Sequence, residues 1–178
     1  MDTVKTRIAT VWLGGCSGCH MSFLDVDEWL LDLAARADIV TSPFVDNKEF
    51  PEVDVTLVEG AVANEEHLEH IRLVRSRTKV LIAFGDCAVT GNVTAMRNLF
   101  RVEDVLNRAY QELSQQVIGI PAGNNVVPRL LDRVRPVHEV VDVDYFLQGC
   151  PPSAAGIRGF LLNLLDGTAD PSRKKRFG

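Results

Sequence analysis

The sequence predicts an α/β fold: an open, mostly parallel, doubly wound sheet of about five strands with helices on both faces. Three observations point there. Short β-branched runs alternate with amphipathic stretches at helical spacing. One run, Val80-Leu81-Ile82-Ala83-Phe84, is apolar throughout, as a strand buried on both faces must be. Glycine also stands just beyond run after run, at Gly14-Gly15, Gly60, Gly85 and Gly149.

In chain order, Ile8 to Leu13 reads as a strand stopped by Gly14-Gly15. From His20 to about Ala37 the apolar residues Phe23, Val26, Leu30, Leu33 and Ala37 recur at helical spacing, with Asp25, Asp27, Glu28 and Asp32 between them. Ile39-Val40-Thr41 is a second strand, and Val53 to Val58 a third, punctuated by Glu59-Gly60. Asn64 is placed to cap a helix reaching about Arg77, with Glu65 and Glu66 in its first turn. The apolar strand Val80 to Phe84 ends at Gly85. A helix is expected from Val102 to Leu113, then an irregular stretch containing Pro121, Gly123 and Pro128. Val140 to Leu147 reads as the last strand, and Ser153 caps a final helix through Ile157, Phe160, Leu161 and Leu164. This order suits a flavodoxin-like sheet.

With 178 residues, 46% of them hydrophobic and 24% charged, the chain has the composition of one soluble domain, residues 1–178. A net charge of −5 gives nucleic-acid binding no electrostatic support. Positive charge is concentrated only in Arg173-Lys174-Lys175-Arg176, within a terminal segment, 171–178, expected to be flexible and solvated. Neither an export leader nor a bilayer-spanning run is visible, so a cytoplasmic protein is expected. In that reducing compartment four cysteines argue for metal or redox chemistry before disulfides.

Cys16 and Cys19 follow the first strand, Cys87 follows the apolar strand, and Cys150 follows the last. In an open parallel sheet the carboxyl ends of strands share one edge, where ligands bind. Four thiols so placed favour a single [4Fe–4S] cluster that passes electrons. Glycine or proline stands beside each thiol, and N–H groups in tight turns can approach cluster sulfurs. The Cys150-Pro151 pairing also ends many iron–sulfur runs. A structural zinc site uses four thiolates too, usually as two close pairs, and only Cys16/Cys19 form one here. A thioredoxin-like dithiol leaves Cys87 and Cys150 idle. Cys16-Ser17-Gly18-Cys19-His20 also matches a c-type haem attachment string, which explains neither remaining thiol. The plainest alternative is that the thiols pack as small hydrophobes.

The segment Val11-Trp12-Leu13-Gly14-Gly15-Cys16-Ser17-Gly18-Cys19-His20-Met21-Ser22-Phe23 resembles the N-terminal motif of [NiFe]-hydrogenase small subunits. Gly85-Asp86-Cys87-Ala88-Val89-Thr90-Gly91-Asn92 and Gln148-Gly149-Cys150-Pro151-Pro152-Ser153 resemble the family's second and third cluster motifs, and with Val58-Glu59-Gly60-Ala61 ahead of them the segments span most of the chain in the expected order. Among these proteins the likeness is to the cytoplasmic, bidirectional, NAD-reducing type. The resemblance implies a flavodoxin-like domain whose Cys16, Cys19, Cys87 and Cys150 hold the cluster next to a nickel–iron site in a separate large subunit. It places Glu59 near the interface with that subunit; an ordinary loop carboxylate is the competing reading. It implies further partners, the iron–sulfur and flavin subunits of a diaphorase module, with flavin and NAD bound there. The membrane-bound and periplasmic relatives carry a longer, cluster-rich C-terminal domain, whereas four cysteines can saturate only one cubane. The related subunit of NADH:quinone oxidoreductase has an adjacent Cys-Cys pair; here Ser17-Gly18 intervenes, which favours hydrogenase.

The implied reaction is the reversible reduction of NAD⁺ by hydrogen, with this chain as relay and no catalytic residue of its own. Neither GxGxxG nor GxxxxGK[ST] occurs, so no nucleotide site is expected. An obligate complex with the large subunit is expected, burying more than about 2,000 Å². His67 and His70 are expected to face solvent, and His138 to lie in a loop. His20 is expected either to meet the cluster or a partner or to pack at its helix start. Trp12, Trp29, Phe84 and Phe146 are read as core.

Overall fold

The computed structural model describes residues 5–47, 49–115, 119–121 and 126–170. Gly123 and the basic segment 171–178 lie outside the described residues, as do residues 1–4. The chain begins with β1 (Thr6–Trp12), α1 (Gly18–Leu24), α2 (Trp29–Arg36), β2 (Ala37–Thr41) and β3 (Val53–Glu59). There follow β4 (Val62–Asn64), α3 (Glu65–Ser76), β5 (Thr78–Phe84), α4 (Asp86–Thr90) and α5 (Asn92–Ala95). The last third holds α6 (Val102–Asn107), β6 (Leu130–Arg135), β7 (Tyr145–Leu147) and α7 (Ala154–Leu165).

Five strands form one parallel sheet in the order β2-β1-β3-β5-β7. The chain builds outward from β1 in one direction to β2 and in the other through β3, which is the doubly wound arrangement expected. Alternate residues of each strand feed opposite faces. Ile8, Leu57, Ile82, Phe84 and Leu147 pack with Phe23, Trp29 and Leu33 of α1 and α2 and with Ile157, Phe160 and Leu161 of α7. On the other face Ala9, Val11, Val58, Leu81, Ala83 and Phe146 pack with Ile71 and Val74 of α3 and Ala88 and Val89 of α4.

Local chemistry explains the boundaries that the sequence marks well. Asn64 accepts a hydrogen bond from the His67 N–H at 2.7 Å and starts α3. Ser153 does the same for the Gly156 N–H at 3.2 Å and starts α7.

Several expectations need correction. The stretch from His20 to Ala37 is two helices, broken where Asp27 takes a left-handed conformation with φ of 52°. Val26 and Trp29 stay in the same core cluster across the break, so the apolar spacing continues where the helix does not. Ala37 opens β2. The last strand is only Tyr145–Leu147; Val140, Val141 and Val143 are loop residues packed against the second core cluster. The Asp144 carboxylate ends that loop by accepting from the Leu81 N–H at 2.8 Å and from Arg75. Beyond Asn107 the expected helix widens into a π-type turn, Arg108–Glu112. The antiparallel pair β4–β6 is an addition, with β6 inside the stretch read as irregular. Trp12, read as core, is 49% exposed, because it is the last residue of its strand and stands at the rim of the sheet. His67 and His70 are partly buried rather than solvent-facing.

Candidate metal centre

One row of paired residues crosses the carboxyl edge of the sheet: Trp12, Glu59, Phe84 and Leu147. The thiol loops leave the sheet at this level. Cys16 and Cys19 come after Trp12, Cys87 comes three residues after Phe84, and Cys150 three after Leu147. Register therefore delivers all four thiols to one edge, at the point where β1 and β3 diverge.

Contacts between the loops show how closely they meet. Gly85 has φ 83° and ψ 162°, a region essentially reserved for glycine. A Cβ there would collide with Cys19 Sγ, so the bare backbone of the Cys87 loop forms the wall against which the Cys19 thiol lies. Gly149 completes that wall, its carbonyl 3.5 Å from the same point. The Cys87 and Cys150 loops are bonded together: the Asp86 N–H donates to the Gly149 carbonyl at 2.9 Å, and the Gly149 N–H to Asp86 Oδ1 at 2.8 Å. Ser22 of α1 donates to the Pro152 carbonyl at 2.5 Å and ties the first loop to the third. The Cys150–Pro151 peptide is cis.

Cys19 is buried, Cys87 half-buried, and Cys16 and Cys150 exposed, so the thiols run from the interior to the surface. Burial pushes the Cys19 thiol far above its ordinary range, and Glu59, Cys87, Cys16 and Cys150 each add to the cost of a negative charge there. Burial also raises Cys87, and Cys150 adds to the rise. The Thr94 hydroxyl and the N–H groups of Thr94 and Val93 act the other way, because they favour its thiolate. Cys19 thus feels the other three thiols, and Cys87 feels Cys150. Among the described residues, no three His, Cys, Asp or Glu side chains converge tightly enough to hold a single metal ion.

Beneath the thiols lies a pair that spacing alone could not join. Glu59, 2% exposed, accepts from the Cys19 N–H at 3.4 Å and the His20 N–H at 2.9 Å, and contacts His20 Nδ1 through Oε2. A carboxylate at the end of β3 thereby caps α1, whose preceding residue Ser17 makes no side-chain cap. His20 sits edge-on to Phe44 and Phe84, and its Nε2 is buried without a hydrogen-bond partner. It packs within this chain at the helix start. Asn92 is a further residue at the edge that the sequence reading passed over, although it closes the second motif. Its Nδ2 donates to Cys150 Sγ at 3.4 Å. Among the described residues, no helix is long and apolar enough to cross a membrane.

Comparison with known proteins places this geometry. The family described as "NADH ubiquinone oxidoreductase, 20 Kd subunit" matches residues 16–164. The chain is 41% identical over 167 residues to the delta subunit of the NAD-reducing hydrogenase HoxS of Cupriavidus necator, covering 92% of this chain and 80% of that protein. It is 41% identical over 174 residues to a subunit of the F420-non-reducing hydrogenase vhu of Methanococcus voltae, covering 97% of this chain. It spans 60% of the length of that relative. A solved chain of an NAD⁺-reducing [NiFe]-hydrogenase in the H₂-reduced state superposes with a TM-score of 0.89 at 44% identity, over 94% of both chains.

Proposed function

Because the chain belongs to the family of the NADH ubiquinone oxidoreductase 20 kDa subunit, we propose that it is the one-domain small subunit of a cytoplasmic NAD-reducing [NiFe] hydrogenase, holding one [4Fe–4S] cluster on Cys16, Cys19, Cys87 and Cys150. The observation that carries this reading is the meeting of three strand-end loops, with the Cys19 thiol seated against the bare backbone of Gly85. Burial, the Glu59 carboxylate and the other three thiols all oppose a negative charge on Cys19, so a positive group bound there would favour its thiolate. A structural zinc site usually takes its four thiolates as two close pairs, and of these four only Cys16 and Cys19 stand close in sequence. A four-iron core takes one thiolate per iron and suits ligands spread around a larger body.

When bound, the cluster supplies a low-potential one-electron centre between two-electron sites on partner chains. This chain's residues hold and orient it. Cys16, Cys19, Cys87 and Cys150 would hold it, Cys19 from the interior and Cys16 and Cys150 from the surface, while glycine backbones let the loops approach. Glu59 fixes the helix that carries Cys19. The hydrogenase relatives, NAD-reducing and F420-non-reducing alike, support hydrogenase over a quinone-linked role, as does the Ser17-Gly18 spacer between the first two thiols. Nickel–iron, flavin and NAD chemistry belong to the large and diaphorase subunits in this reading.

Exposed apolar side chains adjoin the site: Trp12 ends β1, Met21 lies on α1, Phe44 meets His20 edge-on, and Val93 stands by Cys87. They form a rim suited to a large, obligate partner interface. Affinity purification of the tagged chain under anaerobic conditions should recover a nickel-containing protein and hydrogen-dependent NAD⁺ reduction. A folded, cluster-loaded chain that recovers no nickel protein would overturn the assignment.

A further inference from the structure

Resting on the cluster reading above, we propose that Asn92 is a positioning residue that sets the reduction potential of the centre by donating its side-chain N–H to the Cys150 sulfur. The contact is specific. Asn92 Nδ2 lies 3.4 Å from Cys150 Sγ, across 58 positions of sequence, and joins the loop after β5 to the loop after β7. Cys150 is one of the two exposed thiols, where an N–H from a fixed side chain can be told apart from the general effect of burial.

The backbone is arranged to make the contact. Asn92 has φ of 32°, in the positive region that asparagine tolerates better than most residues. It is the first residue of α5 and follows Gly91, itself at φ 85°. Its own N–H is engaged by Thr90 Oγ1 at 3.3 Å, and Thr90 in turn bonds to the Asp86 carbonyl at 2.9 Å. The turn that presents the amide is therefore anchored to the segment carrying Cys87. The next two residues extend the same donor set, since the N–H groups of Val93 and Thr94 face the Cys87 sulfur. One short segment, 92–94, thus directs donors at two of the four thiols.

The physical consequence has a definite sign. Reduction adds negative charge, which spreads onto the cysteine sulfurs. A hydrogen bond to a sulfur favours the more negative state and raises the potential. Removing the Asn92 donor should lower it, and replacing the amide by a carboxylate should lower it further.

The test uses the anaerobically purified complex and an EPR-monitored redox titration of the signal that Cys87→Ser abolishes. Asn92→Gly removes the donor while relieving the positive φ, and Asn92→Asp keeps the shape while reversing the electrostatics. The expected result is full iron loading in both variants. The midpoint should fall in Asn92→Gly, and in Asn92→Asp by tenfold or more in the reduction equilibrium, which is about 59 mV for one electron. An unchanged midpoint in loaded Asn92→Gly overturns the inference, whatever Asn92→Asp does. Loss of iron from a folded Asn92→Gly also overturns it, in favour of a purely structural role. A wild-type chain without iron sinks the underlying cluster reading instead, so the two failures are distinguishable.

Discussion

Gly85 carries the tightest steric condition at the site. Its φ of 83° and ψ of 162° exclude side chains on backbone grounds, and the Cys19 sulfur occupies the place a Cβ would take. Gly85→Ala should therefore cost about 1–3 kcal/mol from the backbone alone, and it should also push Cys19 out of line with the other thiols. The denaturant midpoint should fall, and iron retained per chain should fall with it; a variant of unchanged midpoint and iron content would show that the loop has room to shift. Glu59 illustrates the opposite kind of residue, legible as a motif letter but not as a contact. Its motif was visible in the sequence, yet its bonds to Cys19 and His20 depend on the registry of β3 beside β1, which nothing local announces. Asn92 was hidden for the same reason, because its partner lies 58 residues away.

Among the elements, α3 joins a capped start to two partly buried histidines. The Asn64 cap and the acidic first turn are sequence-local, so that helix could be placed to within a residue. The histidines could not, because their burial depends on what packs over them: His70 meets the Phe50 ring edge-on, and His67 Nδ1 accepts from the Ala63 N–H at 3.3 Å. Burial pulls both below the usual histidine value, against the opposing pull of the Glu66 carboxylate. With folded-state values below the unfolded value of about 6.5, the unfolded chain binds more protons. Their contribution to stability is then complete above about pH 6.5 and is lost as pH falls through the folded-state values. Denaturant melts at pH 7.5 and 5.5 should show lower stability at the acid pH, and His67→Gln with His70→Gln should narrow the gap. An unchanged gap would place the acid sensitivity elsewhere. The short elements β4, α4 and α5 were not legible, because each spans less than two full repeats, about 2 residues for a strand and about 3.6 for a helix, too few to display a period. The break between α1 and α2 was masked, since both helices feed one core face and their stripe runs on.

At the scale of the whole molecule, the legible part was the alternation of strands and helices, and this was enough to bring distant thiols to one edge. Parallel strands with crossover helices leave no other outcome: each carboxyl end points the same way, and the residues just beyond it are neighbours. What alternation does not reveal is which side chains line that edge or how far they stand from one another. Register supplies the first answer, through the row Trp12, Glu59, Phe84 and Leu147. Glycine geometry supplies part of the second, through the seat of Cys19 on Gly85. The same edge leaves Trp12 and Met21 about half exposed, which fits a chain completed by a partner rather than one that works alone.

The central claim is that Cys16, Cys19, Cys87 and Cys150 together hold one iron–sulfur cubane. Iron, acid-labile sulfide and zinc should be measured on the anaerobically purified chain and on its Cys87→Ser variant. About four irons and four sulfides per chain are expected, lost in the folded variant. Zinc in their place, no metal at all, or a Cys87→Ser variant that keeps its iron and sulfide would contradict it.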